Sequence, residues 1–82
     1  MSSPHRPRLL AVVADLGDTL AESERIEVQG CVEAGEERLA FELLAQFLDE
    51  RDAAVTPYQR NELVALENLY GTSRGLDELR LR

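Results

Sequence analysis

The residues with the most obvious chemical potential lie in Val12-Val13-Ala14-Asp15-Leu16-Gly17-Asp18-Thr19-Leu20. An apolar run delivering one aspartate, with another close behind, could serve phosphoryl transfer through an aspartyl nucleophile. Such a site wants its acid/base aspartate two residues after the nucleophile, and Gly17 stands there instead. It also wants a lysine to steady the nucleophile, yet all nine basic residues of this chain are arginines. The open sheet that presents such loops needs far more chain than 82 residues supply. Helical spacing accounts for the same residues: Leu9, Val12, Val13, Leu16 and Leu20 trace one face of a helix. Asp18-Thr19-Leu20 likewise lacks the serine that would carry a phosphopantetheine arm.

The other chemistries lack parts. His5 is isolated near the N-terminus, and Cys31 has no companion at a ligand spacing, so no metal set forms. The carboxylates follow helical spacing and lack the glycine-hinged order of calcium loops. There is no glycine-rich phosphate cradle, and no nucleophile has a histidine to activate it. The sequence therefore predicts no catalytic residue and no cofactor. A single cysteine excludes an internal disulfide and suits a reducing compartment. The longest apolar run, Leu9–Ala14, is too short for a signal core or a membrane span, which predicts a cytoplasmic protein that does not enter the membrane.

The charge is more informative. The chain carries −7 overall, and the excess is local. The first 21 residues balance two acids with two arginines, and Ala53–Arg82 balances four with four. Between Glu22 and Asp52 ten acids face only Arg25, Arg38 and Arg51, which places the whole −7 there. Such a field repels nucleic acid and attracts a basic protein surface. None of the expected helices is basic, so a DNA-reading helix is absent as well.

The elements that must position these acids are helices. The spacing predicts a first helix over Arg8–Leu20, preceded by a disordered tail over residues 1–7. A second runs over Glu24–Ala34, capped by Ser23 and closed by Gly35. The third, Glu36–Arg51, lines Leu39, Ala40, Leu43, Leu44, Phe47 and Leu48 along one stripe and turns Glu42, Gln46, Asp49 and Glu50 outward. After a linker, Asp52–Val55, the fourth begins with Thr56 as N-cap, Pro57 in the first turn and Gln59 returning the capping box. Gly71 ends it. Residues 73–82 form a tail or a short docking helix through Leu76, Leu79 and Leu81. The fold class is all-α: a small three- to four-helix bundle with short loops, its domain spanning residues 8–72. A core this small leaves burial to be supplied by a partner or by a homodimer.

The stretch Val32-Glu33-Ala34-Gly35-Glu36-Glu37-Arg38-Leu39-Ala40-Phe41-Glu42-Leu43-Leu44 resembles the MafI family of immunity proteins. That family carries an apolar helix end, a Gly-Glu step and then Gly-Glu-x-x-x-Ala-x-Glu-x-Leu. Gly35, Glu36, Ala40, Glu42 and Leu44 occupy those places. Leu48-Asp49-Glu50-Arg51-Asp52 is similar to the family's Leu-x-Glu-x-Asp ending, and Thr56-Pro57 to the start of its next helix. The likeness covers roughly residues 20 to 71. Val55 departs from the family's usual isoleucine, and the N-terminal segment is richer in alanine and valine.

The resemblance implies a protein made beside a bacterial toxin that neutralises the toxin's C-terminal domain by stoichiometric binding. Such toxins are often nucleases with basic clefts, which an acidic protein can meet quickly and occlude. Helix geometry nominates Glu33, Glu37, Glu42, Asp49, Glu50 and Asp52 as the partner-facing acids. The alternative function is a helical adaptor or regulatory subunit that grips another protein's helix through Leu43, Phe47 and Leu66. A toxin gene next to this one would favour immunity.

Overall fold

The four stretches of helical apolar spacing become four helices in the computed structural model, which describes residues 3–82. They are α1 (Arg6–Leu16), α2 (Glu22–Glu33), α3 (Glu37–Glu50) and α4 (Pro57–Tyr70). Single 3-10 turns lie at Gly17–Thr19 and Leu76–Glu78, and two-residue strands β1 (Ala54–Val55) and β2 (Arg80–Leu81) pair in parallel. The protein is an all-α bundle with this small sheet at one end.

Packing joins the helices in two pairs. α2 and α3 fold back on each other as a hairpin, and α4 packs on α1. Arg8 pairs with Glu62 while Asp15 meets Gln59, so α1 and α4 run antiparallel. The shared core contains Leu9, Val13, Val28, Val32, Phe41, Leu44, Leu48, Leu63 and Leu66, all fully buried. Each such side chain stabilises the fold by about 1.5–3 kcal/mol through its transfer from water.

Three helix ends share one solution. After α2, Gly35 adopts φ +82° while the Glu36 N–H donates to the Cys31 carbonyl and the Gly35 N–H to that of Val32. This Schellman pairing satisfies carbonyls that would otherwise face no donor. Asp52 (φ +50°) plays the glycine's part after α3, with Ala53 N–H donating to Leu48. Gly71 repeats the pattern after α4, where Thr72 N–H donates to Glu67.

Several boundaries differ from the sequence expectation. The first helix does not run to Leu20: Gly17 takes φ +48° and ψ −120°, and the chain tightens into a 3-10 turn. Leu20 is still buried, reaching the core from beyond the helix. The expected tail also shrinks. Helix α1 starts at Arg6, and His5 stands edge-on to Tyr70 at 5.8 Å between ring centroids. Met1 and Ser2 of that tail lie outside the described residues.

Ser23 is not the cap of the second helix; Ala21 is, two residues earlier. Alanine has no side-chain acceptor, so the carboxylate of Glu24 alone closes the start, accepting the Ala21 N–H at 2.9 Å. On α3 the core face is rotated from the expected stripe. Phe41 and Ala45 are buried and Leu39 is 47% exposed, while Leu43 and Phe47 sit at the edge. The reason is that α3 contacts both α2 and α4, so its buried arc centres between them. The fourth helix keeps its expected cap, with the Gln59 N–H donating to Thr56 Oγ1 and the Thr56 N–H to Gln59 Oε1.

Candidate partner-binding face

The α2–α3 hairpin, with the turn residues at its two ends, contains all ten acids between Glu22 and Asp52, so the chain's charge excess becomes a property of one structural unit. The structure sorts those acids by what else holds them. Among the six expected to face a partner, Glu33 and Asp49 are exposed, and their side chains make no hydrogen bond or ion pair among the described residues. They remain candidates.

The other four have partners within the fold. Glu37 is half-buried and accepts a hydrogen bond from the Tyr70 hydroxyl at 2.9 Å, linking α3 to the end of α4. Burial of the ring, and then this bond, push the Tyr70 ionisation far upward. Glu42 lies 3.5 Å from Arg38 one helical turn before it. Glu50 accepts from Gln46 Nε2 at 2.8 Å. Asp52 pairs with Arg80 of β2. Glu42, Glu50 and Asp52 still lie on or near the surface, but Glu37 is committed to the fold.

Three exposed acids were overlooked. They are Glu22 and Glu27 on α2 and Glu36 on the turn after it; like Glu33, their side chains have no hydrogen-bonding or ion-pair partner among the described residues. Glu22, Ile26 and Glu33 fall at i, i+4 and i+11, which places them on one stripe of α2. Ile26 on that stripe is 58% exposed. The signal was present in the sequence: α2's buried face is narrow, Val28 and Val32, so its remaining acids had to point outward.

Glu24 belongs to the scaffold and not to the face. Its carboxylate accepts from Ala21 N–H and from Arg51 Nε, the latter at 2.6 Å, fastening the start of α2 to the end of α3. The Ala21 bond foremost, with Arg51 adding to it, holds the Glu24 carboxyl below its ordinary range.

The surface proposed for an adaptor does not exist as drawn. Leu66 is fully buried in the core, and Leu43 and Phe47 are partly covered by it. Cys31 is half-buried against the same core. No cluster of three or more potential metal ligands occurs among the described residues. No helix among them is long and apolar enough to cross a membrane.

The grooves on the surface are open, and those beside the ends of α3 and α1 are polar. One at the α3 end, about 280 Å³, is lined by Asp49, Asp52, Arg74 and Arg80 among others and carries mixed charge. The arrangement suits contact with a macromolecule better than enclosure of a small one. No family model, no curated protein and no solved structure matches the chain.

Proposed function

We propose that this chain is an immunity protein that binds a basic toxin domain and neutralises it by forming a one-to-one complex, without catalysis or cofactor. The observation that carries this reading is the confinement of the −7 charge to the α2–α3 hairpin. A single-signed face steers association with an oppositely charged cleft and raises encounter rates above those of neutral surfaces. Toxins that cleave nucleic acid have such clefts, since their substrate is a polyanion. The MafI-like motif spans the α2–α3 turn, so the resemblance and the charge fall on the same unit.

The contact surface in this reading is the outer stripe of α2 and the polar flank of α3. Ile26, ringed by Glu22, Glu27 and Glu33, would supply an aliphatic contact inside a charged rim, an arrangement typical of well-anchored interfaces. The complex forms in the cytoplasm of the producing cell. The experiment is co-expression with the toxin domain encoded next to this gene. Rescue of growth, with the two chains co-purifying, supports the proposal; continued killing with no complex overturns it.

A further inference from the structure

The C-terminal strand is held differently from everything else in the fold. Arg80, Leu81 and Arg82 are all exposed, and the strand partner of β2 is β1. Its attachments are a parallel register of Ala54 with Arg80 and Val55 with Leu81, a hydrogen bond from Arg82 N–H to the Val55 carbonyl at 3.0 Å, and the Arg80–Asp52 ion pair. Beneath it, Val55 is fully buried and belongs to the helical core. Arginines two residues apart project from the same side of an extended strand. Arg80 pairs with Asp52 beyond α3, whereas Arg82 lines an open groove that Asp15 of α1 and Asp18 after it also line.

We propose that Arg80–Arg82 is a charge-latched strap that opens from β1 while the four helices stay folded. A strand this short buries too little to stand by apolar contact, so its attachment depends on charge. Leu76, buried against α4, and Leu79, packed against the core, mark where the movement stops. Closed, the strap neutralises Asp52. Open, it releases that carboxylate beside Asp49 and bares the outer backbone edge of β1. This holds whether or not the chain binds a toxin, because it concerns the free protein.

The test is segment-resolved hydrogen exchange on the full chain at low and at molar NaCl. Screening removes an exposed ion pair's contribution, so exchange in residues 80–82 should quicken about two- to fivefold, out of step with the buried faces of α1–α4. Asp52→Asn should reproduce that change at low salt and abolish the response to salt. Asparagine tolerates the positive φ at this position, so the turn survives the substitution. Arg80→Gln should behave alike and guards against a local fault in the Asp52 variant. Exchange of the strap only in step with the helices, or indifferent to salt and to both variants, overturns the proposal.

Discussion

Gln59 of α4 donates through its amide nitrogen to two oxygens of Asp15 on α1, the backbone carbonyl at 3.2 Å and Oδ2 at 2.8 Å. Its own Oε1 accepts the Thr56 N–H at 2.9 Å. One buried side chain therefore closes the cap of α4 and fastens that helix to α1, with its polar atoms satisfied. Gln59→Leu should cost about 1–3 kcal/mol, the desolvation of partners left behind, measured by chemical denaturation. Gln59→Glu sets a second carboxylate against Asp15. Its deficit relative to wild type should shrink as the pH falls through the carboxylate range.

Two glycines should respond to alanine in opposite directions. Gly17 combines φ +48° with ψ −120°, a conformation closed to side chains although no atom crowds the site. Gly17→Ala should lose about 1–3 kcal/mol from backbone strain alone. Gly30 is exposed inside α2, with open space where a Cβ would stand. There alanine should gain about 0.5–1 kcal/mol from helix propensity. Denaturation midpoints of the two variants decide the matter.

The pH limits of stability follow from named groups. Tyr70 is held neutral by burial and by its bond to Glu37, while an unfolded tyrosine ionises near 10. Its contribution is therefore complete below pH 10 and drains away as the pH rises beyond it. Loss of helical circular dichroism above pH 10 should be shallower in Tyr70→Phe, which has no proton to lose.

At the acid end the sign reverses. Arg8 holds the Glu62 carboxyl low, and the Ala21 N–H does so for Glu24. Their contributions are whole above the ordinary value of 4.5 and vanish as the pH falls below it. Glu24→Gln should weaken the acid dependence of unfolding.

Local signals made the helical fold legible before any geometry was known. Thr56, Pro57, Gln59 and Gly71 announced α4 because each acts on backbone groups within a turn of itself. What escaped was set over distance. The cap of α2 depends on Glu24 reaching back to a residue that has no acceptor, and Gln59's contact with Asp15 links residues 44 positions apart. The β1–β2 pair is two residues long, too short to show an alternating pattern. At the candidate face, charge location was readable but charge commitment was not. Nothing local distinguishes Glu37, tied to Tyr70, from Glu33, which is free among the described residues.

The central claim is that the acidic hairpin drives recognition of a basic partner, and association kinetics test it most directly. Rates should be measured against a basic toxin domain, where one is encoded beside this gene, across ionic strength, for the wild type and for a variant carrying Glu22→Gln, Glu27→Gln, Glu33→Gln, Glu36→Gln and Asp49→Asn. None of these five side chains has a hydrogen bond or ion pair among the described residues, so the fold should persist. Glu37→Gln serves as a control that perturbs the fold but not the face. The account predicts association about tenfold slower or more for the five-site variant at low salt, a gap that closes at high salt, and little effect of the control. Equal association rates for wild type and five-site variant at low salt, or no complex with either, would contradict it.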